Sequence, residues 1–230
     1  MILGLPSKGR LQEATIAWFA ERGIRIRRSG SGREYAAEAE GVDGLEIAML
    51  SAGEIPGALE RGQIHLGVTG LDLVREKVPA REAGVRRLCP MGFGHADLVV
   101  AVPDWWVDVE RMGDLDEAAA AFRDRHGHAM RVATKYHGLT RAFFRQCGVA
   151  DYRVVDSQGA TEATPKNQTA ELIVDITSSG ETLRANHLRV LEDGLILRSE
   201  ATLFASGSAA RSAETDRVLT IMGQRCEFLS

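Results

Sequence analysis

Short apolar runs alternate with helical patterns along nearly the whole chain, and this alternation most restricts the possible fold. Leu45–Leu50, Ile64–Val68, Leu98–Val102 and Leu172–Ile176 each have the composition of a buried strand. A turn and a helical repeat follow most of them. Strands that alternate with helices indicate an α/β protein with largely parallel sheets.

Helical periodicity and glycine stops place the helices between these strands. We expect them near residues 11–19, 71–77, 115–125, 139–147 and 182–191. No proline- or serine-rich linker separates the two halves. We therefore expect two closely connected lobes, one of residues 1–94 and 180–230 and the other of residues 95–179.

The charge balance excludes the usual nucleic-acid binders. The 230 residues include 28 Lys and Arg against 32 Asp and Glu, a formal charge of −4, whereas nucleic-acid binding needs an excess of basic charge. No apolar run is long enough for a membrane helix, and the start lacks the pattern of a signal peptide. We expect a cytoplasmic protein. Its three cysteines form no CxxC pair, so they predict neither a disulfide framework nor a zinc site.

The segment Glu171–Asn186 carries the clearest chemical pattern. An apolar strand ends near Asp175, and a turn rich in hydroxyls and glycine, with Ser178, Ser179 and Gly180, leads to a helix. Such a turn binds anions through its amides and hydroxyls. A neighbouring carboxylate suits sugar hydroxyls or Mg²⁺, so the pattern favours a phosphorylated sugar. An ordinary helix cap is the alternative.

Other phosphate and metal motifs are absent or weak. The chain has no P-loop, and Gly30-Ser-Gly32 and Gly92-Phe-Gly94 lack the third glycine of a dinucleotide fingerprint. His126-Gly-His128 lacks the set of carboxylates or cysteines that would complete a metal site and is interpreted as a polar turn. Trp105-Trp106 fits either a protein contact or partial burial.

The Asp175 turn resembles the phosphoribosyl-pyrophosphate signature of the ATP phosphoribosyltransferases. Four further segments resemble that family in order and spacing, and together they span nearly the whole chain. They are Leu5-Pro-Ser-Lys8-Gly-Arg10-Leu11, Gly67-Val-Thr-Gly70-Leu-Asp72, Ala133-Thr-Lys135-Tyr136 and Gly159-Ala-Thr-Glu162.

The resemblance implies a site for each substrate. For phosphoribosyl pyrophosphate it implies Gly159, Ala160, Thr161, Glu162, Asp175, Thr177, Ser178, Ser179, Gly180, Glu181 and Thr182. For ATP it implies Lys8, Gly9, Arg10, Gly70, Asp72, Lys135 and Tyr136. The residues closest to the chemistry would be Lys8, Arg10, Arg33, Glu162 and Asp175.

The resemblance also implies a fold and a reaction. The fold would have two α/β lobes like those of type II periplasmic binding proteins, with the active site in the cleft between them. The reaction would join phosphoribosyl pyrophosphate to N1 of ATP, the first step of histidine biosynthesis. Mg²⁺ would be bound through substrate, near Asp175, rather than at a fixed protein site.

The length resembles the short form of the family. That form implies a homodimer alone and a hetero-oligomer with a separate regulatory subunit similar to histidyl-tRNA synthetase. The chain departs from short relatives at residues 50–54, where they often carry an arginine and this sequence has no base. Lys8, Arg10, Arg33 and Lys135 are left as candidates to neutralise the departing pyrophosphate.

Two alternatives remain, a binding protein and an enzyme that acts on another nucleobase. A solute-binding module would use the same fold without chemistry, although the missing secretion signal and the phosphoribosyl pattern count against it. A purine-salvage phosphoribosyltransferase would place two acidic residues together before the turn, whereas Val174 precedes Asp175 here.

Overall fold

The computed structural model describes residues 1–28, 36–78, 84–209 and 213–223. The chain divides into two compact units, one formed by Met1–His95 with Glu200–Ser230 and the other by Ala96–Ser199. Within the described residues, no helix is both long and apolar enough to cross a membrane. Cys89 and Cys147 are free thiols, and Cys226 lies outside the described residues.

Helices and strands alternate over only part of the chain, because three groups of strands follow one another without a helix between them. Six of the ten strand pairs among the described residues are antiparallel, so the prediction of largely parallel sheets is wrong. The strands are β1 (Ile2–Pro6), β2 (Arg25–Arg28), β3 (Ala36–Glu40), β4 (Glu46–Leu50), β5 (Leu66–Gly70), β6 (Val85–Pro90), β7 (Ala96–Pro103), β8 (Met130–Thr134), β9 (Tyr152–Asp156), β10 (Leu172–Thr177), β11 (Leu188–Ser199) and β12 (Ala201–Ser206). The helices are α1 (Gly9–Ala20), α2 (Ile55–Glu60), α3 (Leu71–Lys77), α4 (Met112–His126), α5 (His137–Gln146), α6 (Glu181–Ala185) and α7 (Ala213–Gly223).

In the first unit, β1 lies between two parallel neighbours, β4 and β5. The described strands of its sheet follow the order β2-β3-β4-β1-β5-β12-β6. Leu3, Leu5 and Val68 are fully buried in the core between this sheet and its helices. A Cβ on Gly67 would stand 2.7 Å from Ile55, so glycine lets α2 pack directly against β5.

The second unit has a sheet of mixed direction. Its described strands follow the order β11-β7-β10-β8-β9. The strands β8, β9 and β10 run parallel, and β7 and β11 pair antiparallel. Val99, Ala101 and Ile173 lie in its core with Leu183 and Leu188.

The structure corrects the predicted helix over residues 182–191. The helix α6 ends at Ala185, and β11 begins at Leu188. His187 between them has a φ of +56°, in the left-handed region that interrupts a helix. Because β11 pairs with β7, residues 180–199 lie in the second unit, whereas the sequence-based division assigns them to the first.

Candidate functional site

Three parallel strands of the second unit end at the same edge of its sheet. Thr134 of β8 is paired with Asp156 of β9, and Val132 of β8 with Leu172 of β10. In open α/β sheets, ligands bind outside the carboxyl ends of the strands. Apart from the residues on β10 itself, all the site residues predicted for this unit lie in the segments that follow these three strands.

Asp175 lies at the centre of this edge. Its Oδ1 accepts a hydrogen bond from the Ile176 amide at 2.8 Å. The same carboxylate interacts electrostatically with Lys135 and Glu162 and accepts a hydrogen bond from Thr161. The fold therefore brings residues that follow β8 and β9 to one carboxylate on β10.

Burial raises the pKa of Asp175 above its ordinary value. The Ile176 amide, the Lys135 ammonium and the Thr161 hydroxyl lower it, while the charge of Glu162 raises it further, and the net direction is upward. A carboxylate that has lost water is stabilised by hydroxyl donors or a cation. The chemistry of Asp175 therefore suits a sugar diol or a bound cation, and a phosphate placed directly against it would be repelled.

The side chains of the turn between β10 and α6 hold its backbone in shape. Thr177 Oγ1 accepts a hydrogen bond from the Gly180 amide at 2.9 Å, and Ser179 Oγ accepts one from the Glu181 amide at 3.3 Å. Gly180 has a φ of +72°, which residues with a Cβ rarely adopt. The hydroxyl-rich turn predicted for phosphate is thus preformed.

Arg184 adds a base to this turn and is not among the predicted site residues. Its Nη2 donates a hydrogen bond to the Ser179 carbonyl at 3.1 Å. Its Nη1 lies 2.9 Å from the position that a Cβ on Gly180 would occupy. The spacing of four residues from Gly180 is a usable signal, because residues four apart on a helix lie on the same face.

The loop after β9 presents Glu162 beside Asp175. The hydroxyls of Ser157 and Thr161 lie 3.0 Å apart, and the Thr161 amide donates to the Gly159 carbonyl at 2.7 Å. A short 3-10 turn, Thr161–Ala163, follows. Thr161 is buried, Glu162 is half-buried, and Gly159 and Ala160 are exposed.

Lys135 and Tyr136 differ in their access to a ligand. Lys135 is exposed, and its Nζ lies 5.2 Å from the centroid of the Tyr136 ring. Tyr136 is only 1% exposed and belongs to the core. The Tyr136 ring is therefore buried beside Lys135, and the Lys135 ammonium group is the part of this pair that a ligand can reach.

Glu171 lies at the opposite edge of the sheet. It precedes β10, and its carboxylate accepts hydrogen bonds from the Arg131 amide at 2.6 Å and the Arg131 guanidinium at 2.5 Å. Burial alone would raise the pKa of Glu171, but the hydrogen bonds and charge of Arg131 lower it overall. This ion pair joins β8 to β10, which accounts for Glu171 without a catalytic role.

The predicted residues of the first unit also follow parallel strands. Lys8, Gly9 and Arg10 come directly after β1 and are exposed. The Ser7 amide donates to the Leu50 carbonyl at 2.7 Å, which ties the end of β1 to the end of β4. Two basic side chains are therefore available at the carboxyl edge of this sheet.

The remaining ATP-site prediction in this unit concerns the start of α3. Gly70 ends β5, and Asp72 lies in the first turn of α3 with 4% of its surface exposed. Gly70 lies at the sheet edge, whereas Asp72 is buried beneath it. Arg33 lies outside the described residues.

The described residues contain no cluster of three or more ligating His, Cys, Asp or Glu side chains. Mg²⁺ is commonly held by one or two carboxylates together with substrate phosphates. Asp175 and Glu162 are two neighbouring carboxylates. Their chemistry fits a metal ion that arrives with a phosphorylated substrate.

Comparison of sequences identifies relatives over most of the chain. The family model described as "HisG: ATP phosphoribosyltransferase" matches residues 51–224. An ATP phosphoribosyltransferase of Cereibacter sphaeroides is 60% identical over 207 residues, which cover 90% of this chain and 88% of that protein.

Solved structures confirm the predicted fold class. A chain of the "ATP phosphoribosyl transferase (HisG:HisZ) complex from Thermotoga maritima" matches with a TM-score of 0.73 at 22% identity, covering 97% of this chain and 95% of that one. The substrate-binding protein of an amino acid ABC transporter matches with a TM-score of 0.52 at 11% identity, covering 97% and 92% of the two chains. At these identities the likeness concerns the fold alone.

Proposed function

Since this chain belongs to the ATP phosphoribosyltransferase family, we propose that it transfers the 5-phosphoribosyl group of phosphoribosyl pyrophosphate to N1 of ATP. Pyrophosphate is released, and the reaction is the first step of histidine biosynthesis. The observation that carries the proposal is the Asp175 carboxylate, which lies among Lys135, Thr161 and Glu162 beside a preformed hydroxyl-rich turn.

The reaction demands little covalent chemistry from the protein. The lone pair of N1 attacks C1 of the ribose, the bond from C1 to the pyrophosphate oxygen breaks, and pyrophosphate leaves with that electron pair. N1 carries no proton to remove, so no general base is required. Catalysis then rests on alignment of the two substrates and on relief of charge on the leaving group.

The second unit supplies the groups that suit phosphoribosyl pyrophosphate. Asp175 accepts hydrogen bonds from ribose hydroxyls, and Glu162 lies next to it. The turn Thr177–Thr182 binds the 5′-phosphate through its hydroxyls and amides. The internal hydrogen bonds of Thr177 and Ser179 keep the turn in shape for this ligand, and the Arg184 guanidinium adds a positive charge.

The exposed bases neutralise the polyphosphates. Lys8 and Arg10 lie at the carboxyl edge of the first unit's sheet, and Lys135 lies at that of the second. Arg33 remains a sequence-based candidate for the same role. Glycines 9, 70 and 159 are assigned to backbone contacts with ATP or phosphoribosyl pyrophosphate.

We assign Mg²⁺ as the divalent ion that the family requires. When bound, it would neutralise charge on the pyrophosphate as a Lewis acid. Among the described residues, the neighbouring carboxylates Asp175 and Glu162 would lie near this ion when it is bound with the substrate.

The proposal includes a regulatory partner. The likeness to the chain of a HisG:HisZ complex supports assembly with a HisZ-like subunit. From the sequence resemblance we expect that subunit to be similar to histidyl-tRNA synthetase, and we assign the protein to the cytoplasm. Without that partner we expect a homodimer.

The test is to mix the purified protein with ATP, phosphoribosyl pyrophosphate and Mg²⁺ and to follow the ultraviolet absorbance of the N1 adduct. We expect adduct and pyrophosphate in equal amounts, and no product after chelation of the metal. Binding of a small anion without turnover, even with a HisZ-like subunit present, would support the solute-binding alternative. Turnover of free adenine in place of ATP would support a salvage enzyme.

A further inference from the structure

The turn between β4 and α2 lies at the carboxyl edge of the first unit's sheet but has no base of its own. Its sequence is Ser51-Ala-Gly-Glu54. The Thr69 hydroxyl donates to the Ala52 carbonyl at 2.7 Å, so the turn is fixed to the end of β5. The bond from Ser7 to Leu50 fixes the adjoining end of β4 to the segment that carries Lys8. The turn is therefore part of the same edge as the basic residues after β1.

A lysine from another element covers this turn. Lys77 is the last residue of α3, and its Nζ lies 3.6 Å from the position that a Cβ on Gly53 would occupy. The Lys77 side chain is exposed. Within the described stretches of chain, it forms no ion pair. The absent side chain at Gly53 thus leaves room for an ammonium group that remains accessible.

Glu54 is the carboxylate of this turn, but its main interactions are with Ser51 and not with Lys77. Its Oε2 accepts a hydrogen bond from the Ser51 amide at 2.9 Å. The hydrogen bonds with Ser51 lower the pKa of Glu54, and the charge of Lys77 is a smaller cause in the same direction. Glu54 therefore closes the turn, and its carboxylate lies beyond ion-pair distance of Lys77.

We infer that Lys77 binds polyphosphate at this edge, as a substrate-contacting residue that joins Lys8 and Arg10. The ligand is a chain of phosphates, either the triphosphate of ATP or the departing pyrophosphate. A lysine ammonium is a compact charge on a flexible stem, which suits both. The inference deepens the proposed function and rests on it. It also identifies a base for the turn of residues 51–54, since that segment contains no basic residue.

The experiment measures binding of pyrophosphate alone and of ATP alone by calorimetry, in the full chain and in three variants. Lys77→Gln should weaken at least one of the two ligands about tenfold, as expected for a lost charged hydrogen bond. Weakening confined to pyrophosphate identifies the leaving group, and weakening confined to ATP identifies the triphosphate. Arg75→Gln, an exposed base in the same turn of α3, is the matched control and should change neither constant.

Glu54→Gln separates ligand binding from a structural ion pair. It removes a negative charge close to Lys77 and should leave polyphosphate affinity unchanged or increase it. If Lys77 served only as a counter-ion for Glu54, the two variants would share a lower melting temperature and neither would lose affinity selectively. That result, or unchanged dissociation constants for Lys77→Gln, overturns the inference.

The inference and the proposed function fail in distinguishable ways. A parent protein that forms the N1 adduct, beside a Lys77→Gln variant with normal binding and normal KM values, overturns the role of Lys77 alone. A parent protein that binds neither ligand and forms no adduct with its partner present overturns both.

Discussion

Replacement of Asp175 by asparagine should separate the activity of this protein from its stability. The substitution keeps the shape of the side chain and its hydrogen bond with the Ile176 amide, which an asparagine oxygen can also accept. It removes one negative charge from a group that includes Lys135, Thr161 and Glu162. The fold should therefore be preserved while the electrostatics of the site change.

The catalytic loss follows from the hydrogen bonds that Asp175 is proposed to accept from ribose. A hydrogen bond to a charged group contributes about 1.5–3 kcal/mol, more than one to a neutral group. We expect a loss of about 2 kcal/mol in transition-state stabilisation. Because about 1.4 kcal/mol corresponds to a factor of ten, kcat/KM should fall about 30-fold.

Stability should change in the opposite direction. Burial raises the pKa of Asp175 in the folded protein, so folding favours the protonated carboxyl. The resulting cost to stability begins as pH rises through the ordinary pKa of an aspartate and is complete above the raised value. At neutral pH the Asp175→Asn variant should therefore unfold at the same temperature as its parent or a higher one.

Thermal unfolding without ligand and initial-rate kinetics with both substrates would test this pair of effects. Asp124→Asn is the matched control, because Asp124 is an exposed carboxylate on α4 and should leave kcat/KM unchanged. Near-normal kcat/KM for Asp175→Asn would show that the sugar binds elsewhere. A markedly lower melting temperature would contradict the electrostatic cost assigned to Asp175.

Three further results are expected. Gly180→Val should lower kcat/KM through a loss of at least about 2 kcal/mol in transition-state stabilisation, because a Cβ there would displace Arg184 and distort the phosphate turn. Glu171→Gln should cost about 1–3 kcal/mol in denaturant unfolding near pH 7. Because the pKa of Glu171 is lowered, its ionised carboxylate stabilises the parent above the ordinary glutamate pKa. This stabilisation is lost in acid, so the free energies of unfolding of the two proteins should converge at low pH. Strong histidine inhibition is expected only with the HisZ-like partner. Light scattering would check the assembly, and a histidine titration of the activity would check the inhibition. Non-competitive inhibition of the chain alone would contradict this two-subunit regulation.

Local patterns in the sequence are enough to define several parts of this protein. Apolar runs identify the strands β4, β5, β7 and β10, because a strand that packs in a core needs a run of apolar side chains. The glycine and hydroxyl residues after β10 likewise specify a turn with little dependence on the rest of the chain. The α/β class and the approximate location of the Asp175 turn could be predicted from these patterns.

Features that depend on residues distant in the chain are set by tertiary contacts. Residues 188–191 have a helical pattern but form a strand, because β11 gains its hydrogen bonds from β7. Tyr136 and Asp72 belong to the site motifs, yet packing buries both side chains. Lys77 lies over Gly53 because α3 packs beside α2, and no local pattern encodes that approach. Backbone preference is a property of neighbouring residues, whereas burial and the approach of charges result from contacts that form only on folding.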